Sequence, residues 1–100
     1  MGVRENKVEQ YLNDEVVKLG GITRKWVSPG HSGVPDRIVF INGNVYFVEV
    51  KTDLEDGKLS TVQRREINRL RKHGARVFIV YGHTYVDALL KVFKKDLAHD

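Results

Sequence analysis

The sequence predicts an α/β domain of element order αβββαβα, with a four-stranded mixed sheet flanked by helices. Three observations carry that reading. Apolar spacing alternates along the chain between the 3.6-residue period of helices and short β-rich runs. Asn42-Gly43 stands between two such runs and signals a two-residue type I′ hairpin. The last two strands are separated by a helix, so they should be parallel, joined by a right-handed crossover. A chain of 100 residues, 41% apolar and 30% charged, has the balance of one ordinary soluble globular domain, spanning 1–100. No apolar run approaches the ~18 residues of a membrane span, and the first ten residues hold no signal-peptide core, so a cytoplasmic location and no membrane partner are expected. The absence of cysteine excludes a disulfide framework, a zinc finger and thiol catalysis, and leaves any metal to oxygen or histidine ligands.

Residues 5–19 read as a helix, with Val8, Leu12, Val16 and Leu19 on one stripe and Gly20-Gly21 as the stop. Residues 22–27 form a short strand, and 28–35 a loop punctuated by two glycines and two prolines. Strands follow at 37–41 and 45–51, then a polar loop at 52–59. Ser60-Thr61-Val62-Gln63 is a capping box that opens a helix ended by Gly74. Its apolar content, chiefly Ile67 and Leu70, is a narrow stripe that should leave the arginines exposed. A buried strand is expected at 75–81. Thr84 and Asp87 should cap a last helix whose Val86, Leu89, Leu90, Phe93 and Leu97 face the core.

The net charge of +4 is concentrated. Arg64, Arg65, Arg69, Arg71, Lys72 and Arg76 share one short stretch with a single acid, Glu66, giving that stretch +5. Such local excess suits a polyanion-binding surface, and a solvated helix face is the alternative.

With Asn42-Gly43 as the turn, counting outward pairs Ile41 with Asn44, Phe40 with Val45, Val39 with Tyr46, Ile38 with Phe47, Arg37 with Val48 and Asp36 with Glu49. Directly opposed residues share a face, so the two carboxylates converge at the open end of the hairpin, and Lys51 points to the same side. Ile38, Phe40, Val45 and Phe47 complete that face and are expected in the core. So are the residues of the opposite face, Val39, Ile41, Tyr46, Val48 and Val50. Like charges in register destabilise a ladder, and a divalent cation, Mg²⁺ or Mn²⁺, would compensate them. The alternative is a solvated strand end where Glu49 pairs with Lys51 or Arg37.

Gly33-Val34-Pro35-Asp36-Arg37, then Glu49-Val50-Lys51, then Gln63-Arg64 on the following helix, resembles the PD-(D/E)XK nuclease superfamily with its restriction-endonuclease-like core, and most closely its virus-type replication-repair nuclease (VRR-NUC) branch. The resemblance runs from Glu9 to the last helix and implies a minimal, stand-alone member of the kind found in phages, which would act in the host cytoplasm. It implies that Asp36 and Glu49 ligate a metal together with the main-chain carbonyl of Val50. Lys51 would orient the attacking water or offset charge on the scissile phosphate; electrostatic stabilisation is preferred to a general-base role. Gln63 would contact water or the metal's outer shell, although capping alone also explains it. Glu9 would reach a second metal or its waters; Glu5, Asp14 and Glu15 are alternatives on the same helix. His31 and Ser32, in the loop before Asp36, are candidate DNA contacts beside the six basic residues.

The implied function is a Mg²⁺- or Mn²⁺-dependent, structure-selective DNA endonuclease without organic cofactor, leaving 5′-phosphates. Arginines spaced along one helix suit phosphates rather than bases. Small stand-alone relatives act on four-way junctions and larger ones on flaps. One domain carries one centre, so paired nicking of a Holliday junction implies a homodimer. The alternatives are a non-catalytic nucleic-acid-binding module, or a nuclease of flaps or single strands.

Overall fold

The computed structural model describes residues 2–52 and 58–98. Among them the elements are α1 (Gly2–Lys18), β1 (Ile22–Lys25), β2 (Arg37–Ile41), β3 (Asn44–Lys51), α2 (Thr61–Lys72), β4 (Val77–Tyr81) and α3 (His83–Ala98). The order is the expected αβββαβα. The sheet runs β1-β2-β3-β4, antiparallel across the first three strands and parallel between β3 and β4. The hairpin register is the counted one, from Ile41 opposite Asn44 to Arg37 opposite Val48. Asn42 and Gly43 take φ of 47° and 83°, the left-handed pair that a type I′ turn demands.

Boundaries differ from expectation where backbone groups are used elsewhere. β1 ends at Lys25, two residues early, although the Trp26 amide still donates to the Asp36 carbonyl at 3.0 Å. β4 begins at Val77 rather than residue 75, because the Ala75 amide closes α2 by donating to the Leu70 carbonyl at 3.0 Å. With Gly74 donating to Arg71, this is the double bond of a Schellman ending, and Gly20 and Gly21 end α1 on Val17 and Val16 in the same way. α3 starts at His83, so Thr84 and Asp87 lie inside its first turns and do not cap it. The Gly82 carbonyl accepts the first helical bond, from Val86 at 3.3 Å, and Asp87 accepts from the Tyr11 hydroxyl, tying α3 to α1. Most of the loop expected at 52–59, residues 53–57, lies outside the described residues.

One main core fills the space between one sheet face and the α1/α3 pair. It holds Val8, Leu12 and Val16 of α1, Val86, Leu89, Leu90 and Phe93 of α3, and Val39, Ile41, Tyr46, Val48, Val50 and Val80 of the sheet. Ile67 of α2 and Val77 are buried outside this cluster, on the other face. α2 is a single narrow helix and covers only part of that face. Phe40 and Val45, expected in the core, are therefore 38% and 41% exposed at the turn end of the hairpin, beyond its reach.

Candidate active site at the open end of the hairpin

The hairpin brings Asp36 and Glu49 together, and α2 closes over them. Strand alternation puts Glu49 and Lys51 on the side of β3 away from the main core, where Gln63 of α2 meets both. The Gln63 side-chain amide donates to Glu49 Oε2 at 2.9 Å, and its carbonyl oxygen accepts from Lys51 Nζ at 2.9 Å. That same oxygen accepts from the Ser60 amide at 3.0 Å, while Ser60 Oγ accepts from the Gln63 amide at 3.1 Å. Gln63 is thus a helix cap and a member of the cluster at once.

Glu49 is 1% exposed. Its Oε2 is satisfied by Gln63 and lies 3.4 Å from Lys51 Nζ, but its Oε1 is buried with no hydrogen-bond partner. Burial and then the charge of Asp36 push its pKa from 4.5 up to about 7, against the pull of Lys51. Asp36 is raised as well, first by burial and then by Glu9, although it accepts a 2.8 Å bond from the Val50 amide. That bond sets the Val50 peptide against the Asp36 carboxylate. Glu49 does pair with Lys51, but in a buried setting rather than at a solvated strand end, and Arg37 pairs elsewhere.

Its partner is Glu9, which accepts from Arg37 Nε at 2.6 Å and lies 3.6 Å from Lys25 Nζ. Glu9 is thus near Asp36 but already neutralised. The rival acids of α1 divide. Glu5 raises the pKa of Glu49, whereas Asp14 accepts from Gln10 and Glu15 pairs with Lys18 on exposed surface. Among the described residues no three His, Asp or Glu side chains gather as a metal cage. Two carboxylates, one with an unused buried oxygen, still fit a hard divalent cation that keeps several waters.

The basic residues separate by role. Arg64, Arg65, Arg69 and Lys72 are exposed along α2. Arg71 instead donates to the Val77 carbonyl at 2.6 and 3.2 Å, fastening α2 to β4. Arg76 lies 4.7 Å over the Tyr46 ring and 2.9 Å from Asp96. Both guanidiniums are committed to the fold. Trp26 packs on Phe47 at 5.3 Å, and Tyr81 on Tyr85 at 5.4 Å. His31 and Ser32 face α2, where His31 Nε2 lies 2.8 Å from Glu66 Oε1. Sequence reasoning passed over Glu66 as the lone acid of the basic stretch. Its position one turn after Gln63, on the same side of the helix, was the available signal.

Comparison with known proteins matches residues 5–84 to the VRR-NUC domain family model. A phage protein named "Putative nuclease p44", from Acyrthosiphon pisum secondary endosymbiont phage 1, is 46% identical over 79 residues, covering 78% of this chain and 83% of that protein. A solved structure of a VRR_NUC domain superposes with a TM-score of 0.82 at 42% identity, covering 88% of this chain and 95% of the other. Among the described residues no helix is long and apolar enough to cross a membrane.

Proposed function

The chain belongs to the VRR-NUC family of nuclease domains, and from that premise we propose that it is a Mg²⁺- or Mn²⁺-dependent DNA endonuclease that nicks four-way junctions as a homodimer. The observation that supports metal dependence is the unpartnered, buried Oε1 of Glu49 beside a second carboxylate. A buried carboxylate oxygen without a donor costs folding free energy, and a ligated cation would offset that cost.

Asp36, Glu49 and the Val50 carbonyl would hold the cation. When bound, it would supply an activated water near neutral pH and polarise the phosphate. Glu9, tied to Arg37, would act through water or toward a second ion. Lys51 is fixed by Glu49 and Gln63, and its ammonium would offset the charge that develops on the scissile phosphate. Gln63 is a positioning group that holds Lys51 and Glu49 in mutual register. The exposed cations of α2 would lie along the DNA backbone, without reading bases.

Paired nicking of a symmetric junction needs two centres related by a two-fold axis. β4 is an edge strand of apolar residues, and with α3 it walls an apolar cleft of about 170 Å³ containing Phe78, Ile79, Tyr85 and Val92. A second copy would cover this surface isologously.

A panel of end-labelled junctions, flaps, splayed arms, duplexes and single strands, incubated with Mn²⁺, Mg²⁺, Ca²⁺ or chelator, tests the reading. Symmetric nicks in the junction with Mn²⁺ and Mg²⁺, and little cutting with Ca²⁺, are expected. Binding without cutting under any cation would make the protein a non-catalytic module. Cutting confined to flaps or single strands, or a light-scattering mass near 11.5 kDa, would remove the dimeric junction assignment.

A further inference from the structure

We propose that the cleft between the 28–35 loop and α2 is an anchoring subsite for one backbone phosphate of the DNA strand, next to the phosphate being cut. This rests on the nuclease reading above and goes beyond a general basic face, because it names one pocket and one occupant.

The cleft measures about 250 Å³, and its walls include His31 and Ser32 from the loop and Arg65, Glu66 and Arg69 from α2. Arg65 and Arg69 are four apart on the helix and stack on one face. Two guanidiniums, a hydroxyl and an imidazole suit the non-bridging oxygens of a phosphodiester. No Phe, Tyr or Trp lines the cleft, and its polar groups outnumber its single large apolar side chain, Val62, which suits a phosphate better than a base.

Glu66 stands in this wall as an acid, yet it does not oppose an anion directly. Its side chain is only 10% exposed, and its Oε1 is covered by His31 Nε2 at 2.8 Å. The pairing fixes the ring, and the half-exposed imidazole can donate its remaining nitrogen, Nδ1, to a phosphate oxygen in the imidazolium form. The His31 amide donates to the Ser28 carbonyl at 3.1 Å, which closes a turn just before the two cleft residues of the loop.

The same two segments carry the cleft and the carboxylate site. The loop presents His31 and Ser32, then Asp36; α2 presents Gln63, then Arg65 and Arg69. Their spacing is set at Gly33, where an added Cβ would lie 2.8 Å from the Val62 carbonyl oxygen at a φ of +89°. A phosphate held in the cleft is therefore in fixed register with Glu49 and Lys51.

A methylphosphonate scan tests this. Single phosphates near the branch point of a fluorescent four-way junction, where the branch fixes the register of a protein that does not read bases, are neutralised one at a time, and binding is read by anisotropy without divalent metal for the wild type, His31→Ala and Arg69→Ala. Both side chains are exposed, and circular dichroism checks the fold. One neutralised position should weaken wild-type binding by about 3- to 10-fold, and Arg69→Ala should weaken the parent junction similarly while lowering the log–log salt slope by about one. At that position alone, neither variant should lose anything further. Losses that add at every position would overturn the subsite. Junctions with and without a 5′-phosphate separate the sources: if only the terminal phosphate is non-additive with Arg69→Ala, the backbone assignment falls. Because no metal is present, the nuclease reading can fail in the cleavage panel while the subsite stands, and the reverse.

Discussion

On β3, Tyr46, Val48 and Val50 pack into the layer of α1 and α3, whereas Glu49 and Lys51 meet α2, and both rows are withdrawn from water. The first row is satisfied by dispersion and apolar burial alone. The second holds two opposite charges whose partners leave one carboxylate oxygen without a donor. A single strand, through its two-residue period, thus carries one row completed by packing and one row left with an unsatisfied carboxylate oxygen. Stability and chemistry can be altered separately on it, and substitutions on the two sides should behave differently.

The largest effect belongs to the first side. Phe93 is fully buried in α3 and packs 4.6 Å from the Tyr46 ring. Phe93→Ala should cost about 3–5 kcal/mol in urea unfolding, and the surviving folded fraction should keep its DNA affinity per molecule. A loss of affinity in the folded fraction would mean that the two faces are not separable.

On the second side, Lys51→Ala should lower turnover by about 10²- to 10³-fold, the scale of removing one positioned charge-stabilising donor. Metal-free DNA binding should change far less. Single-turnover cleavage measured beside anisotropy checks this, and an active Lys51→Ala enzyme would remove that ammonium from the reaction.

The same side should make the metal-free protein less stable as pH rises. Glu49 titrates near 7 when folded and near 4.5 when unfolded, so below 4.5 both states hold the proton and nothing is lost. Between 4.5 and 7 the unfolded chain releases it first, and folding stability falls, by on the order of 2–3 kcal/mol. Asp36 acts in the same direction. Glu49→Gln should flatten this fall in urea titrations with chelator, and Mg²⁺ should offset it in the wild type by favouring the ionised carboxylates. Parallel pH profiles for Glu49→Gln and wild type would contradict the assignment.

The hairpin was the most legible part of the fold, because Asn42-Gly43 admits one turn type and that turn fixes every pair outward to Arg37 and Val48. Legibility fell where one backbone group had two possible uses. Thr84 resembles a cap by residue type, but the Gly82 carbonyl takes the first bond of α3 and shifts its start. The face of Phe40 and Val45 reads as core by composition, since nothing local reveals how far α2 reaches. For the site, spacing was enough to bring Asp36, Glu49 and Lys51 together, because strand geometry is local. The pairing of Glu9 with Arg37, the His31–Glu66 contact and the Arg76–Asp96 pair join distant segments, and no periodicity encodes them.

The smallest expected effect separates the two jobs of Gln63. Ser60→Ala removes the hydroxyl that accepts the Gln63 amide, so α2 should lose about 0.5–2 kcal/mol of capping. It leaves in place the Gln63 side-chain bonds to Glu49 and Lys51, neither of which involves the hydroxyl. Gln63→Ala removes the reciprocal cap bond to the Ser60 amide and both site bonds together. The two variants should therefore lose similar stability in thermal unfolding, yet only Gln63→Ala should lower turnover well beyond its unfolded fraction. Equal turnover in the two folded variants would make Gln63 a cap and nothing more. A Ser60→Ala enzyme as impaired as Gln63→Ala would mean that the start of α2, and not the amide itself, holds Glu49 and Lys51 in register.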